Sequence, residues 1–374
     1  MPVSCPRTLV GFLGIVIAAT VSAPAQPAVA SQPAIALEVI TSSHPLRDGI
    51  ELQAAAATLR ITALRDDIVR VRISSDSNLP EDASWAVLPE SRSKSVDVQP
   101  IQDSAAVGFR TTVLEVRVER NPLRVVIRDL AGNVISADAV GRPVSFQLGG
   151  FSVSKQMPAD EHYFGLGDKT GSFDRRNQAY TLWNTDVGPQ ESTDPIYKSI
   201  PFFLAITGTR SYGIFLDNTW RAWFDFGKQS RDSISFGAEG GPLDYYVLYG
   251  PTPKQVVEGY AYLTGTPPLP PLWALGFQQS RYSYTPESQV REIANRLRAD
   301  KIPSDVLYLD IDYQYKNRPF TVDPKTFPNF PGLVSDLRKQ HFHLVNITEP
   351  ICTSPMLPTR AMLPTTPAKP ATNS

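Results

Sequence analysis

Val306-Leu307-Tyr308-Leu309-Asp310-Ile311-Asp312-Tyr313 is the stretch whose reading decides the fold. From Val306 to Ile311 it is nearly continuous in apolar residues, the mark of a strand buried on both faces of a parallel sheet. It then breaks into acids and an aromatic residue. The same figure stands on either side. Upstream, residues 272–278 read as a buried strand that runs into the polar and aromatic residues 278–284. Downstream, residues 342–347 read as a third strand that ends at Thr348 and Glu349. Acids and aromatics at the carboxyl ends of successive parallel strands line a pocket.

Two helices separate the three strands. Thr285 is placed to cap the first, with Pro286 at the first helical position. Val290, Ile293, Ala294 and Leu297 then fall at i, i+3, i+4 and i+7, which predicts an amphipathic helix to about Lys301. The second helix is predicted over 331–340, with Leu333, Val334 and Leu337 facing inward. A βαβαβ run with short connections makes its strands parallel through right-handed crossovers. It begins either a doubly wound sheet or a (β/α)8 barrel, and three strands close neither.

Residues 265–271, with four prolines, are the sharpest break in composition, and the domain boundary is placed there. A helix is predicted over 254–263 just before it. Further upstream the period is two. Leu59, Ile61 and Ala63, then Val69, Val71 and Ile73, then Leu114, Val116 and Val118 alternate with polar neighbours, so each strand is expected to have one face on a core and one in water. Residues 123–128 and 134–136 flank the turn Ala131-Gly132-Asn133. No helical period is legible over 31–150, and further strands are predicted at 201–207, 212–216 and 243–249. Together these argue for a large β-sandwich. Within it, Tyr163 to Lys169, Thr181 to Asp186 and Asp194 to Tyr197 read as long loops rich in acids and aromatics, a composition suited to holding sugars. Gly165-Leu166-Gly167 lacks the third glycine and the following helix of a dinucleotide fingerprint.

Residues 1–30 have the form of a signal peptide: Arg7, an apolar run over 9–21 and a small-x-small site at Ala28-Val29-Ala30. The mature chain is then expected to be secreted or periplasmic and free of the membrane after cleavage. The net charge of -1 gives no reason to expect nucleic acid. Two cysteines, Cys5 and Cys352, make neither a disulfide framework nor a metal cluster. The tail 351–374, rich in Pro and Thr, is expected to be disordered.

Asp310 and Asp312, two residues apart, are expected on one side of an extended strand. By spacing alone the pair could perform glycoside hydrolysis, bind Mg²⁺ or Ca²⁺, or position a substrate. His341 and His343 start the third strand, the wrong end for catalysis. No Gly-x-Ser-x-Gly elbow and no His-Glu-x-x-His pattern is present.

Taken together, Phe164-Gly165-Leu166-Gly167-Asp168, Trp183-Asn184-Thr185-Asp186, Tyr197-Lys198-Ser199-Ile200-Pro201-Phe202, the run Pro270 to Gln278, Arg281-Tyr282-Ser283-Tyr284 and Asp310-Ile311-Asp312-Tyr313 resemble glycoside hydrolase family 31, most of all its α-glucosidases. The resemblance spans about 35–350. It implies a galactose-mutarotase-like β-sandwich followed by a (β/α)8 TIM barrel, of which about three βα units are present here. The implied partition is 1–30 signal peptide, 31–265 sandwich, 266–350 partial barrel and 351–374 tail. The implied activity is that of a retaining α-glucosidase that removes terminal α-linked glucose from oligosaccharides, with no cofactor and no metal. Asp186 implies an acid that reaches the sugar, Tyr282 a wall of the glycone pocket, Asp310 an acid on sugar hydroxyls, and Ile311 and Ile347 apolar walls.

The family's nucleophile sits in a Trp-x-Asp-Met-Asn-Glu context, with its acid/base aspartate further on, and neither motif occurs in the 374 residues. No residue here is therefore assigned a catalytic role, and the polypeptide is expected to be inactive. A shift of reading frame near residue 351 would account for the tail. The alternative is a non-catalytic carbohydrate-binding β-sandwich protein.

Overall fold

The computed structural model describes residues 35–348, except 142, 186, 188–193 and 209. The signal peptide, the tail, both cysteines, Glu349 and Asp186 lie outside the described residues. The chain divides into two compact units, Met1–Thr266 and Pro267–Ser374.

The first unit holds three antiparallel sheets of eight, six and five strands. At the centre of the eight-stranded sheet, Ile68–Ser74 lies between Ala57–Arg65 and Leu243–Gly250. A single apolar core joins the sheets, drawing Val71, Val116, Val153, Phe203 and Phe224 into one cluster. Phe203 meets Tyr163, Tyr212, Phe224 and Phe226 edge-on, with centroids 5.2–6.4 Å apart, the geometry aromatic quadrupoles favour.

Three details differ from the expectation. Arg70 and Arg72 do not face water; both are buried. Their strand is covered on both faces, and Arg70 is held there by Asp244, with Nε and Nη2 bonds of 3.0 and 2.6 Å. Residues 162–167 are not loop but the strand His162–Gly167, paired with Ser199–Thr207. The two glycines are what allow that pairing. A Cβ at Gly165 would stand 2.6 Å from the Phe202 carbonyl and one at Gly167 2.4 Å from that of Lys198, both at positive φ. A single helical turn, Pro89–Arg92, interrupts the expected all-strand stretch.

The helix Pro253–Thr264 closes this unit, started by Thr252, whose side chain accepts from the Gln255 amide.

The second unit is a three-stranded parallel sheet, Gln278–Gln279, Val306–Leu309 and His343–Asn346, with the helices Glu287–Ala299 and Phe330–Lys339 as crossovers. Val290, Ala294, Leu307, Leu309, Leu333 and Leu337 make its core. Arg291 ties the helices together, with bonds of 2.9 Å to Glu287 and 2.8 Å to Asp336.

Here too the expectation is corrected. Residues 272–278 are not a buried strand. Leu272–Leu275 is a 3-10 turn, Leu272 is 85% exposed, and only Gln278–Gln279 pairs. A short apolar run carries no period by which strand and turn can be told apart, and the Pro271 carbonyl closes the turn by accepting from Ala274. Thr285 does not cap the first helix; Pro286 is the N-cap, without a side-chain bond. The second helix is capped by Asn329, which accepts from the Gly332 amide at 3.1 Å.

Candidate functional site

The three parallel strands end together, and the residues just beyond them form the candidate site of this unit. Backbone pairing carries past the strands: Ile347 donates from its amide to the Leu309 carbonyl at 2.9 Å, which brings the third strand's end beside Asp310.

Asp310 is the N-cap of the 3-10 turn Ile311–Tyr313 and accepts from the Ile311 amide at 2.8 Å. That turn overturns one expectation. The chain leaves extended geometry after Leu309, so Asp310 and Asp312 do not sit on one side of a strand. Asp312 instead accepts a hydrogen bond from the Ser283 hydroxyl, which ties the loop after the first strand to the loop after the second. It is a positioning acid. The Asp310 carboxylate has no partner but the Ile311 amide among the described residues.

Tyr282, at the head of the tied loop, is 72% exposed, whereas Tyr284 is buried in the core and its hydroxyl accepts from Gln279 at 2.7 Å. An Arg-Tyr-x-Tyr sequence thus supplies one tyrosine to the surface and one to the interior. Ile311 and Ile347 are half-buried. The Ile347 carbonyl accepts from the Tyr313 hydroxyl at 3.0 Å and from Gln314 at 3.4 Å, which fixes the third strand's end against the second loop. The structure therefore brings Tyr282, Asp310, Ile311 and Ile347 to the same end of one sheet.

Sequence reasoning did not single out Ser283, Tyr313 or Gln314 for this bracing. Their only signal was proximity to strand ends. His343 lies at the opposite end of its strand and stacks on Trp273, with centroids 4.0 Å apart. Among the described residues, no group of three or more His, Cys, Asp or Glu side chains could hold a metal ion, and no helix is long and apolar enough to cross a membrane.

In the first unit, Trp183, Asn184 and Thr185 follow the strand Ala179–Leu182. Trp183 is exposed, and Asn184 accepts from the Ser199 amide at 2.8 Å, so the loop's base is pinned to the strand Ser199–Thr207.

Comparison with known proteins agrees with this arrangement. A family model described as the glycosyl hydrolase 31 N-terminal galactose mutarotase-like domain matches residues 58–225. One described as the glycosyl hydrolases family 31 TIM-barrel domain matches residues 267–365. Alpha-glucosidase 2 of Bacillus thermoamyloliquefaciens is 40% identical over 295 residues, 78% of this chain and 37% of that protein. An alpha-glucosidase of Saccharolobus solfataricus is 33% identical over 198 residues, 53% of this chain and 29% of that protein. Among solved structures, a family 31 dextranase of Flavobacterium johnsoniae in complex with isomaltotriose matches with a TM-score of 0.78 at 33% identity, over 83% of this chain and 38% of that one. The chain thus spans about a third of the length of these relatives. It belongs to glycoside hydrolase family 31, with that family's mutarotase-like β-sandwich followed by the start of its TIM barrel.

Proposed function

We propose that this polypeptide is the sugar-holding part of a retaining α-glucosidase that removes terminal α-linked glucose from oligosaccharides. One observation carries the reading: just past the central parallel strand, the Asp310 carboxylate accepts only from the Ile311 amide among the described residues, between the braced loop of Tyr282 and the braced end of Ile347. A carboxylate kept free in such a place accepts hydrogen bonds from sugar hydroxyls, while Ile311 and Ile347 take the apolar face of the ring. The Trp-Asn-Thr-Asp sequence makes Asp186 a further acid proposed to accept from sugar hydroxyls.

Retaining hydrolysis needs a carboxylate nucleophile and an acid/base carboxylate about 5–5.5 Å apart. The 374 residues contain no Trp-x-Asp-Met-Asn-Glu, and Asp312 is committed to Ser283. In this reading the described site holds sugar and does not itself supply the carboxylate pair for turnover. In the same reading residues 1–30 direct export, and the mature chain is secreted or periplasmic and begins after Ala30.

Methyl-labelled isoleucine NMR tests the binding site. On titration with isomaltotriose the Ile311 and Ile347 methyl resonances should move, and Asp310→Ala should abolish the movement at the same concentrations. Resonances that stay still in the parent chain, or that move equally in the variant, would overturn the assignment. Hydrolysis of an aryl α-glucoside that scales with protein would overturn the binding-only reading.

A further inference from the structure

The first unit contains a cavity of about 490 Å³ that the Asp310 site does not use. Its lining includes Trp183, Asn184, Asp217, Thr219, Trp220 and Tyr260. Among the described residues no Lys, Arg or His lines it, which does not suit phosphate or another anion. Its size lies within the range of about 300–1,000 Å³ of small-molecule sites.

The wall is constructed rather than left over. Asn218 donates to the carbonyls of Gly240 and Pro242, both at 2.9 Å, and accepts from the Trp220 amide at 2.7 Å. These three bonds fix the loop that carries Trp220. Residues 240 and 241 must be glycine for the indole to lie where it does, since a Cβ would come within 2.7 and 2.5 Å of its ring. Trp220 is thereby held at the cavity with part of its face open, and Trp183 is exposed beside it.

The polar groups are left with spare capacity. The Asn184 oxygen accepts from Ser199, while its amide nitrogen has no partner among the described residues. Asp217 is only 8% exposed. One carboxylate oxygen accepts from the Ser84 hydroxyl at 2.9 Å, and the other, Oδ2, is buried with no partner among the described residues. Burial pushes its carboxyl up to about 6, so an acid is kept where asparagine would fill the same space without a buried charge. Acids retained at such a cost are expected at functional sites.

We propose that this cavity is a second carbohydrate site, which takes one neutral pyranose unit between the indoles of Trp183 and Trp220, with Asn184 donating to a ring hydroxyl and Asp217 receiving one. Aromatic faces with amide and carboxylate partners, and no cation, suit an uncharged sugar rather than a nucleotide or a sugar phosphate. The site does not depend on the Asp310 reading, and its test is arranged so that the two fail separately.

The test uses the full 374-residue chain carrying Asp310→Ala, titrated with isomaltotriose and observed at the Trp220 indole N–H and the Ile200 methyl group. Both resonances should still move and saturate. Adding Trp220→Ala should weaken the titration at least tenfold. Because that change removes a packed ring, Thr219→Arg is the second variant: the residue is exposed, and its guanidinium would occupy the cavity. It should weaken binding by a similar factor with an unchanged melting temperature. No saturable movement in the Asp310→Ala chain, or a titration indifferent to both cavity variants, would overturn the proposal. Ile311 and Ile347 resonances that move in Asp310→Ala as far as in the parent chain would instead count against the first site alone.

Discussion

The sandwich and the barrel segment treat their acids differently. Inside the sandwich, Asp138 accepts from Lys155 Nζ at 2.6 Å and from the Val125 amide at 2.8 Å, and all three groups are buried. Asp244 accepts from Arg70 Nε and Nη2, and Asp82 from its Nη1 and Nη2. Glu161 accepts from the hydroxyls of Tyr163 and Tyr212, each at 2.8 Å, and of Thr207 at 3.0 Å. In the barrel segment, Asp312 is tied to Ser283, but Asp310 keeps its capacity beyond one neighbouring amide. A carboxylate that has spent its lone pairs on the protein specifies the fold. One that has not is available to a ligand. Asp217 is the exception inside the sandwich, buried with one oxygen unmatched.

The largest effect should come from breaking a committed pair. Burial alone would lower the Lys155 ammonium, but Asp138 and Tyr245, through charge and hydrogen bonds together, outweigh it and hold the group charged. Lys155→Ala strands Asp138 and should cost about 3–5 kcal/mol in urea unfolding. A loss under ~1 kcal/mol would mean that the pair is not what holds this part of the core.

Asp217→Asn should act in the opposite direction. The carboxyl titrates near 6 in the folded protein against an ordinary 3.8. Burial raises it, Asp244 adds to that, and Ser84, Arg70 and Arg92 oppose. Between these two values the folded state binds more protons than the unfolded one, so stability falls as pH rises from about 4 to 6. The ionised group therefore costs about 3 kcal/mol at pH 7. The asparagine variant should be more stable than the parent by about that amount at pH 7, and the gain should disappear below about pH 4. A gain independent of pH would remove the charge from the explanation.

Tyr313→Phe sharpens the difference between bracing and binding. It leaves the Ile347 carbonyl to Gln314 alone and should cost about 1 kcal/mol in unfolding. Its distinguishing readout is a changed Ile347 methyl shift before any sugar is added. An unchanged shift would mean that the hydroxyl does not position the third strand's end.

Much of this was legible in the sequence. Period two predicted the strands Ala57–Arg65 and Leu114–Arg120, and the apolar run at 306–311 predicted the central parallel strand. The misses have physical reasons. Arg70 and Arg72 read as a wet face because alternation reports polarity, not the distant Asp244 that pairs with both of them. Gly165 and Gly167 read as loop because a close cross-strand carbonyl leaves no mark on local sequence. Asp310 and Asp312 read as a same-side pair because nothing in the acids signals the 3-10 turn that separates them. The cavity beside Asp217 depends on Asn218, Gly240 and Gly241 meeting across more than twenty positions, which no local pattern carries.

The most direct test sets affinity against stability in one variant. Asp310→Ala should weaken isomaltotriose binding at the Ile311 and Ile347 methyl groups by about tenfold to a hundredfold, the worth of a hydrogen bond to a charged group. Its free energy of unfolding should change by less than about 0.5 kcal/mol, as for surface positions without committed partners. An intact titration combined with a loss of several kcal/mol in stability would contradict the account, for Asp310 would then be another acid spent on the fold.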